Sequence, residues 1–198
     1  MQASRGREEG RILRAGDPVK AGPYSIGSDR WPGISKLTEE AGEVIQTRTG
    51  RPAGNCTEAA IASILEVPLE AVPDLFDPEA DPEAEGWRDH RWKVVHDWLL
   101  AEHGMKYVQI RRPPSEALPI IAQGIGEERM RTTHHLLMGK NPDGVGHAVV
   151  ALAGEVVWDP NPRRRGITDP DEVVFLLPAD LFPPECREWP GLDYTPRT

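Results

Sequence analysis

Apolar residues along the chain recur with two different periods. From Ser35 to Gln46, Leu37, Ala41, Val44 and Ile45 return at helical spacing, with Ser35 placed as an N-cap and Pro32 and Gly33 before it. The segment TRTGRPAG breaks that pattern. Asn55 then opens a second predicted helix, in which Ala59, Ala60, Ile61, Ile64 and Leu65 make one apolar face. Asn55 with Glu58 three residues on resembles a capping box, Asn standing in for the usual Ser or Thr. Pro68 and Pro73 close this helix, and the acidic, apolar-poor run DPEADPEAEG over 77–86 reads as an exposed loop. Trp87 to His103 is predicted as a core helix: Trp92, Val95 and Leu99 share a face, Trp98 lies beside them, and Gly104 is its C-terminal stop.

Beyond Gly104 the period changes. MKYVQI, HHLLMG, GHAVVALA and EVVWD are short, rich in β-formers and separated by turn signals such as NPDG and AG. Helices followed by an antiparallel sheet define an α+β pattern. A chain of 198 residues has room for one ordinary domain and an appendage. The expected division is a loose or disordered lead-in over 1–30, rich in Arg, Gly and Glu, and a helical fragment over 31–48. The main domain follows over 49–180, and then an irregular tail over 181–198, where PP, WPG and TP interrupt any period.

Composition narrows the classes of function. A formal net charge of −9 repels a phosphate backbone, so non-specific nucleic-acid binding is not expected. No stretch approaches the roughly 18 apolar residues of a membrane span, and the first residues lack the apolar segment of a signal peptide. A cytoplasmic location is the expectation. Cys56 and Cys186 are the only cysteines, too few for a disulfide scaffold, which leaves a reactive role open to either.

The candidate chemistry centres on Cys56. It falls at the first helical position after Asn55, where unpaired backbone N–H groups and the helix dipole favour a thiolate. A cysteine among AAIASIL residues also fits a small buried side chain. His147 lies in GHAVVAL, a predicted strand whose Val145, His147, Val149 and Ala151 share one face. A tight hairpin centred on Ala153 and Gly154 brings Asp159 within about one residue of the position opposite His147. A cysteine at a helix start, with a histidine and an aspartate together on a later hairpin, is the nucleophile, base and orienter arrangement of acyl-transfer enzymes.

GNCTEAAIASILEVPLEAVPDLF, followed downstream by NPDGVGHAVVALAGEVVWDPNP, resembles the papain-like, bacteriocin-peptidase-like proteins common in bacteriophage genomes. The likeness covers roughly residues 50–168 and rests on Gly54 to Cys56, His147 to Val150 and Asp159 to Pro162. It implies a papain-like cysteine hydrolase fold, a phage-encoded peptidase or amidase that needs no cofactor, and a peptide or small-amide substrate. It also implies Cys56 as nucleophile, His147 as base and Asp159 as orienter. The family's oxyanion glutamine stands a few residues before the cysteine; the nearest candidate here is Gln46, at longer spacing. Asn55, Arg163 and Arg164 are candidates for the substrate mouth, the arginines as attractors of an anionic group or as a solvated loop. The same fold kept as a non-catalytic module that sequesters a small molecule or host protein is the alternative.

A second fragment, WPGISKLTEEAGEVIQ, is similar to the first helix of MazG-type nucleotide pyrophosphohydrolases, which implies magnesium binding by Glu39, Glu40 and Glu43. Such a site needs acidic residues from a partner helix. The nearest imitation, DPDEVVFLLPADLF, is interrupted by Pro178 and lacks the acidic spacing. His134, His135 and His147 do not form a predicted metal site, because adjacent strand histidines point to opposite faces.

Overall fold

The computed structural model describes residues 43–49, 54–75 and 87–186. The first element is helix α1 (Cys56–Leu65), which ends at Glu66 in the left-handed region, its backbone N–H closing on Ala62 O and Ser63 O. Pro68 then gives a short 3₁₀ turn at Leu69–Ala71. Helix α2 (Trp87–His103) stops where expected, at Gly104 with φ of +62°. Strand β1 (Met105–Ile110) leads into α3 (Pro114–Ile125) and α4 (Glu127–Thr132), and then come β2 (His135–Lys140), β3 (Gly146–Leu152), β4 (Glu155–Trp158) and β5 (Asp169–Pro178).

All the strand pairs are antiparallel, in the order β1-β5-β2-β3-β4, so the architecture is α+β. Helices cover both faces of the sheet. On one, Ile61 and Ile64 of α1 and Val95 and Leu99 of α2 pack on Tyr107, Leu136, Val150, Val174 and Leu176. On the other, Ala117 and Ile121 of α3 and Met130 of α4 pack on Leu137, Val149, Val173 and Phe175. Each large side chain buried in this way contributes about 1.5–3 kcal/mol.

Several expectations are corrected. Glu43, Val44, Ile45 and Gln46 are not helical, because partners distant in sequence take their amides: Val44 N–H donates to Ser63 Oγ at 3.0 Å and Gln46 N–H to Pro160 O at 2.9 Å. Residues 31–42, with Glu39 and Glu40, lie outside the described residues, as do the acidic run over 77–86 and the tail beyond Cys186. The capping box does not form, since Asn55 makes no side-chain cap bond and Glu58 turns to Leu75 N–H at 3.0 Å. DPDEVVFLLP is the second strand of the sheet; it is apolar on both faces because both are covered. A 3₁₀ turn at Ala179–Leu181 spans the start of the expected tail, and a second forms within it at Pro184–Cys186.

Candidate functional site

Three stretches remote in sequence meet beside the start of β3. The first is the N-terminus of α1. Asn55 supplies the first helical acceptor through its own carbonyl to Ala59 N–H at 3.1 Å. Its side chain faces backward, Oδ1 accepting from Arg48 N–H at 2.9 Å and Nδ2 donating to Thr47 Oγ1 at 3.1 Å. Cys56, partly buried, opens the helix.

The second stretch is the β3–β4 hairpin. Ala153 and Gly154 both have positive φ, 51° and 87°, the two-residue turn that suits a right-twisted strand pair. The pairing starts as expected at Leu152 and Glu155, but a bulge between Val150 and Ala151 slips it, so that Val150 faces Trp158. Asp159 therefore falls short of the position opposite His147, and its side chain bridges the difference. His147 Nε2 lies 2.7 Å from Asp159 Oδ1, with both residues buried. Two backbone amides hold the carboxylate: Asn161 N–H donates to Oδ1 at 2.8 Å and Gly166 N–H to Oδ2 at 2.7 Å. An anionic acceptor with this many donors is fixed in place. With Nε2 engaged by Asp159, Nδ1 is the ring nitrogen left to act as an acceptor.

The thiol and the hairpin meet near Ala148, the residue after His147: Cys56 packs against the core cluster that includes Ala148. Burial pushes the Cys56 thiol pKa up; the Ala148 amide and the Thr57 hydroxyl pull it back, and the Glu58 carboxylate pushes it further. The helix start therefore does not make Cys56 a standing thiolate, and ionisation calls for a base.

The third stretch, residues 43–49, ties the other two together. Trp158 Nε1–H donates to Val44 O at 3.3 Å, and Gln46 N–H is bonded to Pro160. Gln46 is buried; its Nε2 donates to Arg48 O at 2.9 Å, the carbonyl that also takes Asn55 N–H at 3.3 Å, and its Oε1 has no partner among the described residues. Through the shared Arg48 carbonyl Gln46 lies beside the helix start, despite its long sequence spacing to Cys56. Arg164 stacks its guanidinium 4.7 Å from the Trp158 ring centre and approaches Glu43 at 3.9 Å. Arg163 is exposed on the same turn, and Arg165 pairs with Asp143 at 2.9 Å.

The structure separates the other histidines. His135 stacks on Phe175 at 4.5 Å and gives Nδ1 to Thr133 O at 3.1 Å; burial lowers its pKa to about 4. Burial lowers the His134 pKa as well, with the Glu66 carboxylate acting against it. Among the described residues no group of three potential ligands could hold a metal ion.

Three contributors were not singled out from the sequence: the Ala148 amide, Arg48 and Gly139. Gly139 stands opposite His147 in the β2–β3 register, and a Cβ there would meet Asp169 O at 2.1 Å. An interior glycine in HHLLMGK was the available signal, since glycine in a strand marks close backbone approach. No family model, curated protein or solved structure matches the chain. No described helix is long and apolar enough to cross a membrane.

Proposed function

We propose that the protein is a cysteine hydrolase of papain-like type, acting on an amide or thioester. The observation that carries this reading is the buried His147–Asp159 contact of 2.7 Å on a hairpin whose Ala148 belongs to the core cluster against which the helix-opening Cys56 packs. His147 Nδ1 accepts the Sγ–H proton as sulfur attacks the carbonyl carbon, and the tetrahedral oxyanion forms. The Cys56 backbone N–H, in the first turn of α1 and so without an intrahelical acceptor, is one donor for it. Gln46 Nε2 carries a second N–H besides the one on Arg48 O and is the candidate for the other. The imidazolium then returns its proton to the leaving nitrogen or sulfur, which departs as amine or thiol and leaves the acyl-enzyme on Cys56. Water, deprotonated by His147, resolves it to acid and free thiol. Asp159 holds the ring throughout and stays ionised.

The rival is a binding module that uses the same cleft without turnover, favoured by the raised thiol pKa and by the Gln46–Arg48 bond. A panel of fluorogenic amides and thioesters separates the two. Hydrolysis by the native chain, lost in Cys56→Ala while substrate binding persists, supports the enzyme; binding that is equal in both proteins without product in either supports the module. The pyrophosphohydrolase reading has no support at Glu43, which lies in a non-helical segment near Arg164.

A further inference from the structure

Beside the nucleophile, on the Glu58 side of α1, the chain forms a recess of about 400 Å³ lined by Thr47, Arg48, Asn55, Glu58, Glu70 and Asp74, with the 69–74 turn as its far wall. Three of these side chains are carboxylates and one is a cation. Arg48 is engaged by Asp74, Nη1 at 2.8 Å and Nη2 at 2.7 Å, and reaches Glu58 Oε1 only at 3.9 Å. The bidentate pair neutralises itself, so the balance of charge in the recess falls to Glu58 and Glu70.

Glu58 carries the argument. It is 2% exposed, Oε1 accepts from Leu75 N–H, and Oε2 is buried with no hydrogen-bond partner among the described residues. A carboxylate held in this way is costly, and an apolar or amide side chain of similar size would remove the cost. A buried carboxylate in a cleft with one oxygen left unpartnered is a candidate binding group. Glu58 and Asn55, which line the recess, flank Cys56 at the start of α1, and the Glu58 charge acts on the thiol.

We infer that this recess is a specificity subsite for a cationic group of the substrate, a primary ammonium or a guanidinium, with Glu58 Oε2 as its innermost acceptor and Glu70 at its rim. The inference rests on the hydrolase reading for the word substrate and on the recess alone for the charge. An anionic occupant would meet two carboxylates and an arginine already paired. A bound cation also offsets the charge of Glu58 next to the thiol, so that recognition and ionisation of Cys56 favour each other.

Matched methanethiosulfonates, aminoethyl, methyl and sulfonatoethyl, test this on the full chain by peptide mass spectrometry at Cys56, with the exposed Cys186 as internal control. After normalisation to Cys186, the cationic reagent should modify Cys56 about tenfold faster than the neutral one, the scale of electrostatic focusing in a cleft. Glu58→Gln and Glu70→Gln should each lower that ratio. A reactive Cys56 with the same charge preference as Cys186 overturns the subsite while leaving the nucleophile standing. Calorimetry with n-butylammonium gives the separate readout: weaker binding in Glu70→Gln, at an exposed position, supports the subsite even if Cys56 proves inert. Absence of binding, or equal binding in both proteins, overturns it.

Discussion

Replacing Asp159 by Asn keeps the size of the side chain and changes which atoms it can accept with. Oδ1 serves both His147 Nε2 and Asn161 N–H, whereas Oδ2 serves Gly166 N–H alone. The amide will therefore place its oxygen at the Oδ1 position and set its NH₂ against Gly166 N–H, donor against donor. A stranded donor costs about 1–3 kcal/mol, and Gly166 is half-buried, so water relieves part of that; the expected loss is about 2 kcal/mol. Asp159→Ala strands all three donors, and His147 Nε2 is too buried for easy hydration, so its expected loss is about 4 kcal/mol. Urea unfolding followed by tryptophan fluorescence, with an unchanged m-value, measures both. Because Asn still accepts from Nε2–H, any hydrolysis should survive far better in Asp159→Asn than in Asp159→Ala. Two variants of equal stability, or an Asn variant within about 0.5 kcal/mol of the native chain, would refute the donor accounting.

Two other outcomes are expected. His135 is fully buried with its pKa lowered to about 4 by desolvation, below the unfolded value of 6.5, so the unfolded chain binds the extra proton between these values. The stability linked to it is fully present above pH 6.5 and is lost as pH falls towards 4, by about 3 kcal/mol; a pH series of urea midpoints should show this slope, and His135→Leu should flatten it. Gly139→Ala forces a Cβ into the Asp169 backbone at 2.1 Å, where β2 and β5 shift register opposite His147, and should cost at least about 2–3 kcal/mol and lower Cys56 reactivity; an unperturbed melting curve would show that the strands part easily there.

The parts of this fold that were legible in the sequence are those in which local signals and tertiary packing agree. Trp87–His103 combines an apolar face with a glycine that can take positive φ, and its bounds match the expectation. Ala153-Gly154 predicted the hairpin, and with it the meeting of His147 and Asp159, although the bulge at Val150 was invisible because it leaves the residue pattern intact. Legibility failed where distant partners decide. Val44 and Ile45 have helical spacing, but Ser63 and Pro160 claim the neighbouring amides. Asn55 and Glu58 have the letters of a capping box, yet each is drawn to a segment far along the chain. Helix α3 begins at Pro114 and carries Pro119 within it; proline punctuation conceals a helix whose Ala117 and Ile121 are nonetheless core. Strand β5 reads as one continuous apolar run because α1 and α2 cover one of its faces and α3 and α4 the other, which erases the alternation that identifies strands.

The central claim is that His147 serves Cys56 as its base, and alkylation of Cys56 by iodoacetamide as a function of pH, in the native chain and in His147→Ala, tests it most directly. General-base assistance is worth about 10²–10⁴-fold. The account predicts at least about a 100-fold fall in the Cys56 rate at pH 7 on removal of His147, with Cys186 unchanged. The residual reaction should move to pH above the ordinary thiol range, because burial then acts on Cys56 without a proton acceptor. Equal rates at Cys56 in the two proteins across the pH range would contradict it.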